Sequence, residues 1–226
     1  MHDTTDQHLF ERVLQDNDQL ADENRHHFDD MGAYVVNFMS APGAGKTTLI
    51  LELAKRLKDK LSVSVIEGDM VGDLDAERLR TAGVSAFQIS TGRSCHLDAA
   101  MIARLLHATP HPEGQMIIIE NVGNLVCPAE FPLGEHLRIV LLSVTEGDDK
   151  PIKYPVIFHN CDAVVLTKTD LIDHVDFNFE TVEKTVKALN PKVELFKVST
   201  KNGDGLDEFL AWLEARHSIT LTASAV

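Results

Sequence analysis

A glycine-rich segment, Ser40–Thr48, lies between a run of apolar residues and an amphipathic stretch. The apolar run, Tyr34–Met39, predicts a buried strand, and Leu49–Leu57 has the apolar spacing of a helix. A strand, a glycine-rich turn and a helix in this order direct backbone N–H groups and a helix N-terminus at one point, which favours bound phosphate. The segment therefore predicts an α/β fold built around a phosphate-binding loop.

The loop departs once from the usual pattern G-x-x-x-x-G-K-[ST], because Ser40 occupies its first glycine position. In such a loop Lys46 reaches the outer phosphates of a nucleotide and the Thr47 hydroxyl holds Mg²⁺. The alternative is a simple helix-entry loop. The residues that we expect to contact nucleotide here are Gly43, Ala44, Gly45, Lys46, Thr47 and Thr48.

The composition is that of an ordinary globular chain of 226 residues, with 44% apolar and 25% charged residues. No apolar run is long enough to span a bilayer, and the N-terminus is too polar for a secretory leader. The net charge of -14 argues against nucleic acid or an anionic membrane as a partner. Three cysteines are few and odd in number, so we expect reduced thiols and a cytoplasmic protein.

Three regions are expected along the chain: an acidic N-terminal arm or helix at 1–30, a nucleotide-binding domain at 31–217, and a tail at 218–226. The N-terminal region is either a solvated arm or a docking helix. The docking helix is favoured by apolar residues at near-helical spacing: Leu9, Phe10, Val13, Leu14 and Leu20. The last residues, Thr220–Val226, are expected to fray.

Strands and helices alternate through the rest of the chain. Further strands are expected at Ser62–Ile66, Val84–Ile89, Met116–Glu120, Leu137–Val144, Ala163–Leu166 and Val193–Val198. Helices are expected at Asp73–Ala82, His96–Leu106, Phe179–Leu189 and Leu206–Ala215. Continuous apolar strands between helices predict a doubly wound, mostly parallel sheet with helices on both faces. The residues of chemical interest follow the strands, and so would meet at one edge of the sheet.

Thr167-Lys168-Thr169-Asp170 follows one of these strands and resembles the [NT]-K-x-D motif of G proteins. A carboxylate at Asp170 accepts hydrogen bonds from guanine N1–H and N2–H₂, and adenine has neither donor. A second sequence, Ser199-Thr200-Lys201, resembles the S-A-K loop that supports the same base. These two motifs favour GTP over ATP, and the predicted base-binding residues are Thr167, Lys168, Asp170, Ser199, Thr200 and Lys201.

Glu120 ends a buried strand, where a carboxylate is placed to hold Mg²⁺ together with Thr47. Asp69, Asp73 and Asp75 follow another strand, where a switch loop would lie. We favour Asp75, then Asp69, for orienting Mg²⁺ or the attacking water; the alternative is that these acids cap a helix. The predicted catalytic residues are Lys46, Thr47, Asp75 and Glu120.

Cys95, His96 and Cys127 form a second candidate site, because two thiols and an imidazole suit Zn²⁺ or Ni²⁺. Cys127 lies shortly after Glu120, within the segment that would respond to the γ-phosphate. Three ligands leave a fourth position for water or for a thiolate from a second subunit. Lone cysteines are more often core residues, and Cys161 is expected to be one.

These motifs together resemble the HypB family of hydrogenase nickel-incorporation GTPases, which are SIMIBI-class P-loop GTPases. The resemblance runs from about Val35 to Leu213. Its most specific parts are Gly92–Ala99, Glu120–Ala129 and Ser143–Pro155.

The resemblance implies slow, Mg²⁺-dependent hydrolysis of GTP and a homodimer favoured by GTP and metal. It also implies that Cys95, His96 and Cys127 bind nickel or zinc at the dimer interface. Nickel would pass to the precursor of the [NiFe]-hydrogenase large subunit with a HypA-type nickel chaperone. Lys153 would reach the nucleotide of the other subunit like an arginine finger, unless it is simply a solvated base.

Residues 1–33 contain no cysteine, unlike some family members, so a tight nickel site is not expected there. The nearest alternative function is that of a urease-type nickel accessory GTPase, whose C-P-H metal motif does not occur in this sequence. Others are a P-loop small-molecule kinase and a structural zinc protein that binds nucleotide without turnover. Comparing GTP hydrolysis by the wild type and Lys46→Ala would distinguish the zinc protein from a GTPase.

Overall fold

The computed structural model of the protein describes residues 3–70, 72–108 and 115–223. Seven strands in this part of the chain form one sheet, in which every pair of neighbours is parallel. The strands are β1 (Tyr34–Ser40), β2 (Val63–Asp69), β3 (Ser85–Ser90), β4 (Met116–Glu120), β5 (Leu137–Ser143), β6 (Ala163–Thr167) and β7 (Glu194–Lys197). Their order in the sheet, β3-β2-β4-β1-β5-β6-β7, places β1 at the centre.

Helices cover both faces of this sheet. They are α1 (Asp3–Asp30), α2 (Lys46–Leu57), α3 (Leu74–Thr81), α4 (Ala99–Ala108), α5 (Lys150–Lys153), α6 (Pro155–His159), α7 (Phe179–Leu189) and α8 (Leu206–Ala223). Alternate side chains of β1 point to opposite faces: Phe38 packs with α2 and α8, whereas Val35 packs with α1 and α4. Helices α6 and α7 cover the remaining part of the second face. The predicted doubly wound architecture is therefore confirmed.

The predicted strands are all present; the bounds of β4 are as expected, and those of the other strands differ from the expected ones by at most three residues at either end. The helix expected from His96 begins instead at Ala99. The Asp98 side chain accepts a hydrogen bond from the Met101 backbone N–H at 2.7 Å and so caps the helix. Cys95 and His96 therefore lie in an irregular segment before the helix.

The N-terminal region forms the long helix α1, so the expectation of a solvated arm is wrong for its second half. Phe28 is fully buried beneath the sheet, and Asn17 and Asn24 are buried as well. The apolar residues of the first half remain largely exposed, with 62% of Leu9 and 48% of Phe10 accessible. The acidic residues of this region are compatible with a helix because they lie mostly on its exposed side.

The C-terminal helix α8 continues to Ala223, beyond the expected boundary at 217. The expected fraying from Thr220 is therefore wrong as far as Ala223, and residues 224–226 lie outside the described residues. Each added residue of an established helix contributes a backbone hydrogen bond, which outweighs the weak helix propensity of Ile219 and Thr220. The three-region division of the chain stays a prediction. Within the described residues, every helix is too short or too polar to cross a bilayer.

Candidate functional site

The phosphate-binding loop connects β1 to α2 through two glycines with positive φ, +77° at Gly43 and +98° at Gly45. Lys46, the first residue of α2, is buried, and its Nζ donates to Ser40 Oγ at 3.1 Å. Burial lowers the pKa of Lys46, although the nearby carboxylate of Glu120 opposes this effect. Ser40, which replaces the usual first glycine of the loop, thus accepts a hydrogen bond from Lys46 and orients its side chain along the loop.

Two buried carboxylates lie next to this lysine. Glu67 and Glu120 occupy paired positions at the ends of β2 and β4, and the Thr47 hydroxyl donates to Glu120 Oε1 at 2.7 Å. Burial raises the pKa of Glu67 to about 8, helped by repulsion from Glu120 and Asp69. Burial likewise raises the pKa of Glu120 to about 7, against the attraction of Lys46.

The Oε2 atoms of Glu67 and Glu120 are buried without a hydrogen-bond partner among the described residues. Uncompensated carboxylate oxygens beside a threonine hydroxyl are the ligands that Mg²⁺ prefers. The residues present therefore fit a magnesium ion at this position. Glu67 and Glu120 belong to a cleft of about 290 Å³ that is lined by Pro42, Gly43, Lys46, Glu67, Gly68, Asp69, Met70, Asp75, Glu120, Asn121, Val122 and Gly123.

The three acids expected in the switch loop, Asp69, Asp73 and Asp75, have different surroundings in the structure. Asp69 and Asp75 line the cleft, whereas Asp73 pairs with Arg80 at 3.2 Å. Asp73 stands at the N-cap position of α3, but its side chain makes no capping hydrogen bond. The alternative interpretation, that these acids cap a helix, is therefore wrong for the Asp73 side chain.

The two base-binding motifs meet beside the phosphate-binding loop. Thr167 Oγ1 donates to Ala44 O at 2.7 Å, and Lys168 Nζ donates to Gly43 O at 2.7 Å. Asp170 accepts a hydrogen bond from Ser199 Oγ at 2.7 Å. The first motif therefore lies against the phosphate-binding loop, and the second lies against Asp170 of the first motif.

The remaining residues predicted to contact nucleotide do not line the phosphate cleft. Thr48 and Thr200 line a second cavity, of about 450 Å³, between α2 and α3. Lys201 Nζ lies 3.8 Å from Asp170 Oδ2. Lys153 is exposed, pairs with Asp149 of its own chain, and does not line the phosphate cleft.

Cys95, His96 and Cys127 meet at one point, with their ligand atoms all within 4.8 Å of one another. The two sulfur atoms are 3.2 Å apart, and the Cys95 sulfur lies 3.9 Å from His96 Nδ1. Burial and the neighbouring Cys95 thiol raise the pKa of Cys127. A divalent cation would relieve the repulsion between two thiolates, so this donor set suits nickel or zinc.

The third cysteine, Cys161, is buried in the core between β6 and α6. Burial raises its pKa to about 12. It is therefore a core thiol, as expected.

One loop connects the phosphate cleft with Cys127 of the candidate metal site. Asn121 follows Glu120 in that loop, and its Oδ1 accepts from the Leu97 backbone N–H at 3.2 Å. Asn124 Nδ2 donates to Cys95 O at 3.2 Å. The segment between Glu120 and Cys127 thus contacts the phosphate cleft at one end and the Cys95 segment at the other.

Two residues that line the cleft, Glu67 and Asn121, are not predicted as site residues from the sequence. Glu67 could have been found because it directly follows the strand expected at Ser62–Ile66, a position comparable to that of Glu120 at the end of Met116–Glu120. No local signal marks Asn121, since its partner Leu97 lies 24 positions away along the chain.

Comparison with known proteins places the site in a family. The profile described as "CobW/HypB/UreG, nucleotide-binding domain" matches residues 34–197. The Hydrogenase maturation factor HypB of Rhizobium leguminosarum bv. viciae is 48% identical over 202 residues, covering 89% of this chain and 68% of the relative. The chain belongs to the HypB family.

Another HypB protein, the Hydrogenase/urease maturation factor of Helicobacter pylori strain J99, is 43% identical over 91% of this chain and 86% of the relative. A crystal structure of HypB from Helicobacter pylori in complex with nickel has a TM-score of 0.85 at 42% identity, covering 91% of this chain and 97% of that one. HypB from Archaeoglobus fulgidus has a TM-score of 0.84 at 38% identity, over 90% and 99% of the two chains. The LAO/AO transport system kinase, 20% identical with a TM-score of 0.53, shares only the fold.

Proposed function

We propose that the protein is a Mg²⁺-dependent GTPase that couples GTP binding, hydrolysis and dimerisation to the insertion of nickel into the precursor of the [NiFe]-hydrogenase large subunit. The observation that carries this proposal is the loop from Glu120 to Cys127. It begins at a carboxylate beside the phosphate-binding loop and ends at a thiol beside Cys95 and His96. A change at the γ-phosphate would therefore act on the metal ligands through one short segment.

In the proposed reaction the backbone N–H groups of the phosphate-binding loop hold the phosphates, and Lys46 stabilises the charge that develops on the γ-phosphate oxygens. Mg²⁺ would neutralise negative charge on the phosphates. Thr47 and Glu120 would hold it, with Glu67 close by. Asp75 lines the same cleft and would orient the attacking water.

The nucleotide is GTP in this proposal because Asp170, aligned by Ser199 and flanked by Lys201, presents a carboxylate for the guanine N1–H and N2–H₂ groups. Thr167 and Lys168, which donate to the backbone of the phosphate-binding loop, would support the base. Thr48 and Thr200 would lie alongside the ribose and base.

The transition metal is the cargo of the reaction. Cys95, His96 and Cys127 would bind Ni²⁺, or Zn²⁺ in its place, and leave one position open. A thiolate from a second subunit can fill that position in a homodimer, which would explain dimerisation favoured by both GTP and metal. In such a dimer Lys153 would exchange Asp149 for the nucleotide of the other subunit.

The partners follow from the HypB relatives, whose names describe hydrogenase maturation. We propose a HypA-type nickel chaperone and the large-subunit precursor as partners, and a cytoplasmic location in view of the few cysteines. The net charge of -14 supports our expectation of no nucleic acid or membrane partner.

A second candidate function is nickel delivery to urease. It is favoured by the name of the Helicobacter pylori relative, a hydrogenase/urease maturation factor. The same GTPase and metal site would serve both targets.

Size-exclusion chromatography with metal analysis, in GDP and in a non-hydrolysable GTP analogue, tests the proposal. We expect the analogue with Ni²⁺ to shift the wild type towards a dimer with bound metal. Lys46→Ala should lose the response to nucleotide, and Cys127→Ala should lose the metal. A monomer without metal in both nucleotide states would contradict the proposal.

A further inference from the structure

The two segments that carry the metal ligands have little regular structure of their own. Cys95 and His96 lie before the first residue of α4, and Cys127 opens a single 3₁₀ turn that ends at Ala129. Their relative position therefore depends on contacts with other parts of the fold. Asn121 provides one such contact from the side of the nucleotide cleft.

Helix α1 provides the others from the opposite side. Asn17 is only 6% exposed; its Nδ2 donates to Pro132 O at 2.9 Å, and its Oδ1 accepts from the Ala99 backbone N–H at 2.9 Å. Ala99 begins α4 shortly after His96, and Pro132 lies a few residues after Cys127. One buried amide thus spans the two ligand-bearing segments.

Asn24 repeats this bridge two helical turns further along α1. Its Nδ2 donates to Ala99 O at 2.9 Å and to Leu133 O at 3.1 Å. Close packing at this point depends on Gly134, where an added Cβ would lie 2.7 Å from Asn24 Cβ. The same glycine has a φ of +98°, which other residues rarely adopt.

The bridged segment also contacts a metal ligand directly. The ring of Phe131 lies 4.2 Å from the imidazole of His96 between centroids. Phe131 directly precedes Pro132, the residue that Asn17 holds. A displacement of α1 would therefore move both the backbone beside His96 and the ring against its side chain.

We propose that α1 positions the transition-metal site, with Asn17 and Asn24 as its positioning residues. This inference rests on the proposed function, because it takes Cys95, His96 and Cys127 as the nickel ligands. Groups that orient metal ligands typically change metal affinity by about 10- to 100-fold when they are removed. The nucleotide cleft lies away from both asparagines, so its affinity should be nearly independent of them.

The test compares Asn17→Ala and Asn24→Ala with Gln19→Ala in the full-length protein. Gln19 is an exposed residue of the same helix whose side chain donates to Glu23 Oε1 at 3.3 Å. Nickel affinity is measured by competition with a chelator, the ligand geometry by the thiolate-to-nickel charge-transfer absorption, and nucleotide affinity with a fluorescent GDP. We expect nickel affinity to fall about tenfold or more in the asparagine variants, with a changed absorption band. GDP affinity should stay within about twofold, and Gln19→Ala should match the wild type in all three measurements.

Asn17→Ser serves if an alanine variant fails to fold, because its neutral hydroxyl still forms a hydrogen bond in the buried site but is too short to reach both Ala99 and Pro132. Unchanged nickel affinity in folded variants would overturn the inference, and so would a parallel loss of nickel and GDP affinity, which indicates general destabilisation. Cys127→Ser separates the two proposals. If it binds nickel like the wild type, the proposed metal site is wrong; if it loses nickel while the asparagine variants keep it, only the positioning role is wrong.

Discussion

Glu67 and Glu120 are adjacent carboxylates that the fold buries beside a single lysine. Each has one oxygen without a hydrogen-bond partner in the described part of the chain. Such an arrangement is unfavourable for the empty protein and favourable for one that binds a divalent cation. The two buried carboxylates should therefore lower the free energy of unfolding of the cation-free protein by an amount that depends on pH.

Replacing Glu67 with glutamine should stabilise the protein at pH 8 in the absence of nucleotide and Mg²⁺. The pKa of Glu67 is raised from 4.5 to about 8, so the folded state keeps a proton that the unfolded chain releases between these pH values. The wild type therefore loses stability as the pH rises from about 4.5 to 8, and Glu67→Gln loses less, because the raised pKa of Glu120 remains but that of Glu67 is gone. We expect its melting temperature to exceed that of the wild type by roughly 3–5 °C at pH 8 and to converge near pH 5.

Glu77→Gln, at an exposed carboxyl of α3, is the matched control, and its melting temperature should equal that of the wild type at both pH 5 and pH 8. If the melting temperatures of Glu67→Gln and the wild type differ by the same amount at pH 5 and at pH 8, the assignment of a buried carboxyl with a raised pKa is contradicted.

Asp170→Asn should change which base the protein prefers. An amide at this position cannot accept both guanine donors, but its N–H₂ group can donate to the C2 carbonyl of xanthine. We expect GTP affinity to fall roughly 100-fold and xanthosine triphosphate affinity to rise, measured by titration with fluorescent analogues. Asp173→Asn, an exposed acid in the same 3₁₀ turn, is the control. Equal affinities of Asp170→Asn and the wild type for both nucleotides would contradict the assigned base site.

At the scale of elements, the loop after β4 packs directly on the phosphate-binding loop. A Cβ added at Gly123 would lie 2.9 Å from the backbone N and Cα of Pro42. The two loops can therefore approach only because residue 123 has no side chain. A movement of either loop must be followed by the other.

Gly123→Ala should push the two loops apart and weaken GTP binding about tenfold, a loss of about 1.4 kcal/mol. Titration with a fluorescent GTP analogue measures this effect. Gly32→Ala is the control, since its Cβ would meet no atom within 4 Å but its φ of +65° strains an alanine. That control should cost roughly 1 kcal/mol of stability and leave GTP affinity unchanged. If Gly123→Ala kept the GTP affinity of the wild type and Gly32→Ala lost it, the contact between the two loops would not matter for GTP binding.

The sequence predicts most of these elements because strands buried on both faces are apolar throughout, and Met116–Glu120 is a clear example. It also predicts which strand ends meet, since parallel strands align their carboxyl ends. It does not predict the start of α4. The apolar spacing from Leu97 onwards is helical, but the Asp98 cap and the long-range contacts of Asn17 and Asn121 decide where the helix begins.

At the scale of the whole molecule, the candidate metal site lies between two supports. The loop from Glu120 to Cys127 connects it to the nucleotide cleft, and α1 holds it from the other side through Asn17 and Asn24. The first support would transmit the nucleotide state, and the second would keep the ligands in place. Asn17 and Asn24 are buried by contacts more than 70 positions away along the chain, and for this reason the local sequence of the acidic N-terminal region does not distinguish a solvated arm from a docked helix.

The most direct test of the account is the nickel affinity of the full-length protein in GDP and in a non-hydrolysable GTP analogue, measured by chelator competition. We expect the two dissociation constants to differ by about fivefold or more, because one loop carries both the phosphate contact and a nickel ligand. Cys127→Ser should bind nickel more weakly and lose the difference. Equal nickel affinities of the wild type in the two nucleotide states would contradict the proposed coupling.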